Sequence, residues 1–328
     1  MFNGILWIGD PHLISTRPGR RVDDYAQAIL GKLSYAGKLA TDLNLLPIIL
    51  GDLFHRNKEN DLELLSRLVD VARLFPCPPI VLEGNHDKAE TRLTEQDALA
   101  LLGNLGVFRV VSTKGYVDTF DIGGKPVHLW ATPYGATIPK SIEARPGFNL
   151  MMTHHDLAFA GAYPGAALLT PIEGCAMVVN GHMHKTAPSV VKGETVWHNP
   201  GNISRLSVDT ITHVPSVWSW SLETGQSLVQ HVLPHSQQVF DMTGLIVEAA
   251  TPDELKKTLP RMMRLSQFAE LMKVEDTLDA DRSEDASMMV DELKIHLEAV
   301  AAPDALRALL GAMAKEVIAE RKHAVFNN

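Results

Sequence analysis

Short apolar runs recur along the first 180 residues, and most stop abruptly at glycine and polar residues. Ile5 to Ile8 reads as a buried strand that ends in Gly9-Asp10, and Leu46 to Leu50 leads into Gly51-Asp52. Pro79 to Leu82 runs into Gly84-Asn85-His86-Asp87 after a single intervening residue. Between these runs apolar residues fall at helical spacing, from Asp23 to about Leu43 and near Leu62 to Leu74. Strand alternating with helix predicts an α/β sheet with parallel strands. Val127 to Trp130, Leu150 to Met152, Met177 to Val179 and Val217 to Trp220 predict further strands, punctuated by Gly and Pro at "DIGGKP" and "HNPGN". Beyond about Gln238 the pattern changes to helix-forming stretches rich in Ala, Leu and Met, separated by the acidic "VEDTLDADRSEDA". The expected organisation is a catalytic domain over 1–238 and a mainly helical accessory region over 239–328.

Composition narrows the class. A 328-residue chain with 45% hydrophobic and 21% charged residues has ample material for a core. Its formal charge of −9 argues against non-specific coating of nucleic acid, which needs concentrated Lys and Arg. A nucleic-acid enzyme stays open, because bound divalent cations supply local positive charge. Cys77 and Cys175 suit reduced thiols better than a disulfide framework. "MFNGILWIGDPHL" lacks a basic n-region and a cleavage pattern, and no run approaches the roughly 18 to 20 apolar residues of a membrane span. A soluble, cytoplasmic protein is expected.

The polar residues at the strand ends are of one chemical kind. They are Asp10-Pro11-His12, Gly51-Asp52, Gly84-Asn85-His86-Asp87, His154-His155 after Thr153, and Gly181-His182-Met183-His184. In an open α/β sheet the carboxyl ends of the strands converge on one crevice, so residues distant in sequence can meet there. Carboxylate, amide oxygen and imidazole are ligands that Mn²⁺, Fe²⁺ or Zn²⁺ accept. Any one of these motifs alone is more often a turn. Five strand ends in this order are not.

The order resembles the calcineurin-like metallophosphoesterase superfamily, with its Asp-x-His, Gly-Asp, Gly-Asn-His-Asp/Glu, His and Gly-His-x-His motifs, here between residues 10 and 184. The resemblance implies a β-sandwich flanked by helices (an α/β fold of the α+β sandwich kind) and two divalent metal ions, Mn²⁺ foremost. By position, Asp10, His12, Asp52 and His184 would hold the first ion. Asp52, Asn85, His154 and His182 would hold the second, with Asp52 bridging and His154 preferred to His155. His86 would face the substrate as proton donor or charge stabiliser, and a metal-bridged hydroxide would attack the phosphorus in line. Asp87 would either hold the turn or orient His86.

"GDLFHRNKEN" narrows the resemblance further. It lacks the Gly-Asp-x-x-Asp-Arg-Gly of the protein phosphatases and is most similar to the Mre11/SbcD-type DNA nucleases, in which the residue matching His55 assists phosphodiester cleavage. A helix-entry residue near the site is the other reading of His55. Arg17, Arg20, Arg21 and Arg56 are candidate contacts to flanking phosphates, or surface partners of nearby acids, and Arg205 after "HNPGNIS" is a further candidate. The partners implied are DNA, an SMC-like ATPase of the Rad50/SbcC type docked on the C-terminal helices, and a second copy of the chain as a homodimer. Those helices could equally pack on the protein's own core. The expected activity is therefore a DNA exonuclease or endonuclease. The alternative is a small-molecule or nucleotide phosphodiesterase or phosphatase of the same superfamily, and a metal-free scaffold is the remaining reading.

Overall fold

The computed structural model describes residues 1–160 and 165–241. The accessory region expected over 239–328 lies outside the described residues, apart from its first three positions.

In chain order the elements are β1 (Gly4–Ile8), α1 (Tyr25–Asp42), β2 (Leu45–Ile49), α2 (Leu62–Ala72), β3 (Ile80–Leu82), α3 (Ala98–Asn104) and β4 (Arg109–Val111). There follow β5 (Gly115–Ile122), β6 (Lys125–Thr132), β7 (Phe148–His154), β8 (Met177–Gly181), β9 (Ala187–Lys192), β10 (Thr195–Asn199), β11 (Ser216–Trp220) and β12 (Val229–Val232). They form two six-stranded sheets, ordered β12-β11-β1-β2-β3-β4 and β5-β6-β7-β8-β10-β9. Strands β1 to β4 run parallel, as do β6, β7, β8 and β10; β11, β12, β5 and β9 are added antiparallel at the edges. The alternation of strand and helix accounts for the first sheet. The second sheet gives the sandwich that the motif resemblance implies.

The pattern of apolar residues explains the layering. Every residue of β1, β2 and β3 is buried, as expected of parallel strands covered on both faces. Ile5 and Trp7 of β1, with Ile48 of β2, pack into the sandwich interior against Leu129, Leu150 and Val179. Leu6, Ile8 and Ile49 turn the other way, onto Ile29, Leu33 and Ala36 of α1 and Leu64 and Leu68 of α2. Each fully buried Leu, Ile or Val contributes roughly 1.5–3 kcal/mol, so both layers are firmly held. The helices begin where their caps dictate: Asp24 accepts from the Gln27 N–H at 2.9 Å and Asp61 from the Leu64 N–H at 2.8 Å.

The described chain ends by returning to its beginning. The Val22 N–H donates to Val239 O at 3.0 Å and the Asp241 N–H to Arg20 O at 2.8 Å, with Val239 and Phe240 buried. Among the described residues no helix is long and apolar enough to cross a membrane.

Candidate metal centre

At the carboxyl ends of the parallel strands the backbone is forced into an uncommon conformation. His12 has φ 48°, Asp52 φ 48° and His182 φ 70°, all in the left-handed region that non-glycine residues avoid. Such strain persists where the surroundings over-determine it and clusters at functional sites. The glycines of the motifs are required by close approach. A Cβ on Gly84 would lie 2.2 Å from Asp52 Oδ1, and one on Gly51, itself at φ 108°, would lie 2.3 Å from His154 Nδ1.

Three groups of ligand-type side chains result: Asp10, His12 and His184; Asp52, His154 and His182; and His12, His55 and His86. Within each group one ligand atom per residue lies within 4.8 Å of the others. Asn85 joins the second group, its Oδ1 lying 3.2 Å from His154 Nε2 and 3.0 Å from His182 Nδ1. Asp52 reaches both of the first two groups, with Oδ2 3.3 Å from His154 Nε2 and 3.7 Å from His12 Nε2.

The electrostatics favour a cation. Asp10 is buried, and neither of its carboxylate oxygens has a hydrogen-bond partner among the described residues. Burial raises its pKa to about 7, with the Asp52 charge adding to the effect and His154 opposing it. Burial also drives the His12 pKa well below normal and that of His184 down to about 3, so both imidazoles are neutral and offer lone pairs. Their Nε2 atoms face each other 2.9 Å apart. For Asp52 burial pushes upward, but the His154 and His86 imidazoles prevail and hold it well below the usual carboxylate range. Burial pulls His154 down, yet Asp52, Asp10 and the Leu50 carbonyl raise it to about 9. His154 Nδ1 donates to that carbonyl at 2.7 Å, which aims Nε2 at Asp52 and Asn85. Orphaned carboxylate oxygens, apposed neutral imidazoles and an amide oxygen fit borderline divalent cations.

His86 lies beside the carboxylates. Its backbone N–H donates to Asp52 Oδ1 at 2.9 Å and its Nδ1 to His55 O at 2.9 Å. Its ring stacks on that of His55, with centroids 5.2 Å apart and planes at 15°. Asp87 holds the turn: its carboxylate accepts from the Phe54 N–H at 3.2 Å and the Gly84 N–H at 3.0 Å. His155 turns away and donates from Nε2 to Ala136 O at 2.7 Å.

Arg17, Arg20 and Arg56 are exposed. Arg21 and Arg205 differ from the expectation of phosphate contacts, because both are buried. Arg21 donates to both Asp23 oxygens and to Arg205 O, and it stacks on Tyr25 and Phe240. Arg205 donates to the carbonyls of Ile211 and Ser236. One of those carbonyls lies 6 positions on and the other 31, so the local sequence does not mark Arg205 as a buried residue.

Two neighbours of the centre lie outside the strand-end motifs. Asp156 Oδ2 lies 3.2 Å from His182 Nε2, a carboxylate–histidine pair that leaves Nδ1 facing Asn85. Its signal was an acid two positions after the strand-end His154. Tyr134, half-buried, brings its ring centroid to 5.4 Å from that of His182, and nothing in its local sequence marks it.

Among solved structures, this chain is similar to a hypothetical protein from Thermus thermophilus, at 13% identity and TM-score 0.41, over 70% of this chain and 100% of that one. It is also similar to a 5'-nucleotidase precursor from the same organism, at 12% identity and TM-score 0.40, over 80% of this chain and 59% of that one. No curated protein matches. The family model described as calcineurin-like phosphoesterase matches residues 4–186, more than half of the chain and the whole run of strand-end motifs. The chain belongs to the calcineurin-like phosphoesterase family.

Proposed function

We propose that the protein is a dinuclear-metal phosphodiesterase that cleaves DNA, with His86 and His55 acting on the scissile phosphate. Its family makes it a metal-dependent phosphoester hydrolase with a dinuclear divalent centre, which the His and Asp clusters fit. In this reading Asp10, His12, Asp52 and His184 hold one cation, and Asp52, Asn85, His154 and His182 hold the other. Mn²⁺ is the favoured ion, ahead of Fe²⁺ and Zn²⁺. When bound, such a pair supplies Lewis-acid charge to the phosphoryl oxygens and activates water.

The observation that carries the DNA reading is the stacking of His55 on His86, in the same cluster as His12. His86 donates its Nδ1 proton to the His55 carbonyl, which leaves Nε2 to carry a proton toward the leaving oxygen. His55 is half-buried and stacked on that ring, and in this reading its imidazole holds the non-bridging oxygens of a diester. A diester carries a bulky leaving sugar that has to be turned into line, and misplacement by about 1 Å can cost on the order of 100-fold. A small diester reorients freely and should need His55 less. His55→Ala, compared at equal metal occupancy, is therefore expected to lose far more rate on a DNA duplex end than on bis-p-nitrophenyl phosphate. Equal loss on both, or no loss on DNA, would favour a small-molecule or nucleotide phosphoesterase.

A further inference from the structure

The ends of β7 and β8 each deliver histidines to the centre, and the buried amides behind them are fully committed. Asn180, in β8, has no exposed surface. Its Oδ1 accepts from Thr153 Oγ1 at 2.8 Å and from the His155 N–H at 3.1 Å, while its Nδ2 donates to His155 O and to Asn199 Oδ1, each at 3.0 Å. Asn199, the last residue of β10, is equally buried and donates from Nδ2 to Met183 O at 2.9 Å and Lys185 O at 2.8 Å. The carbonyl between them, that of His184, accepts from the Asn202 N–H at 3.0 Å. Three successive carbonyls around one histidine are thus held from β10 and the turn after it.

The chemistry of the partners fixes the direction of this chain of bonds. Backbone carbonyls only accept, so Asn199 Nδ2 has to face Met183 and Lys185, which turns its Oδ1 toward Asn180. The His155 N–H only donates, so Asn180 Oδ1 has to face β7, which turns its Nδ2 toward Asn199. The two ends demand the same orientation independently.

We propose that Asn180 and Asn199 are positioning residues: this amide relay sets the spacing of His154 against His184, one histidine from each ligand group, and so tunes the affinity of the centre for its second cation. The inference rests on the two-cation reading above. Backbone hydrogen bonds already hold the sheet itself, so what the relay adds is the placement of the His182–His184 turn, whose first residue is in the left-handed region.

The test uses the full chain stripped with chelator and titrated with Mn²⁺ by calorimetry, with no DNA present. Asn199→Ala should bind the first Mn²⁺ as the wild type does and the second about 10- to 100-fold more weakly, the usual effect of removing a group that orients a ligand. Val179→Ala, a core truncation beside Asn180, should lower the melting temperature without moving either affinity. Wild-type affinities in folded Asn199→Ala would overturn the proposal, and so would equal weakening in Val179→Ala. If Asn199→Ala does not fold, Asn180→Asp, which sets an oxygen against Asn199 Oδ1 and His155 O, takes the same titration. Failure of both to fold would assign the amides to the fold alone and overturn the inference. A wild type that binds fewer than two Mn²⁺ would overturn the two-cation reading along with it.

Discussion

Asp52 is the residue on which the proposed centre turns, because its carboxylate approaches histidines of both carboxylate-bearing ligand groups. Asp52→Asn keeps its shape but removes its charge. It should bind fewer metal ions and lose nearly all turnover, and full metal content at a normal rate would refute the bridging assignment. His86 should behave differently. Its Nδ1 is committed to the His55 carbonyl and it belongs to neither of the carboxylate-bearing groups, so His86→Gln should keep both ions yet lose about 10²- to 10⁴-fold in rate. Metal analysis of the purified variant decides, since loss of ions would make His86 a ligand. The ligand-type residues were legible in the sequence because each follows an apolar run that could only be a buried strand. Asp156 and Asn199 were less legible: what makes them matter is a partner 26 and 16 positions away, His182 for one and Met183 for the other.

Helix α1 brings an unusual group into the interior. Lys32 is buried and donates from Nζ to Ile203 O at 2.7 Å, in the segment that backs the Asp10 turn. Burial, with Arg21 and Arg205 adding to it, pulls its pKa from 10.5 down to about 7. Below pH 7 the folded and unfolded chains both hold the proton, so Lys32 gives no pH slope there. Between about 7 and 10.5 the unfolded chain holds a proton that the folded chain has released, so Lys32 makes stability rise with pH. The slope amounts to roughly 1.4 kcal/mol per pH unit at most. Denaturant titrations of the wild type and Lys32→Met across this window should differ by that rising slope, and parallel curves would show that Lys32 keeps an ordinary pKa. As for the elements themselves, α1, α2 and the first three strands follow directly from periodicity. β10 was missed because "TVWHN" mixes apolar residues with Thr195, His198 and Asn199, all of which are buried and satisfied by hydrogen bonds. The short β4, the half-exposed β5 and the mostly exposed β9 give weak patterns for a different reason, little one-sided burial.

At the scale of the whole molecule, the first sheet supplies Asp10, His12, Asp52 and Asn85 and the second supplies His154, His182 and His184. Cations held by all seven bind only the folded state. Each site filled at 100 times its dissociation constant should then add about 2.7 kcal/mol of stability. Melting with Mn²⁺ and with chelator measures this, and coincident curves would count against the centre. Ligands from both layers would close on the same ions, so while hydrogen bonds such as those of Phe2 with Asp121 and Gly123 join the hydrophobic packing at the opposite rim, the centre would act as a rivet at its own rim of the sandwich. The layers could not peel apart from that rim without first releasing the ions. Resistance to proteolysis over hours would then follow how fast the protein lets go of its metal, so that a hydrolase starved of its cations would lose its lifetime along with its activity.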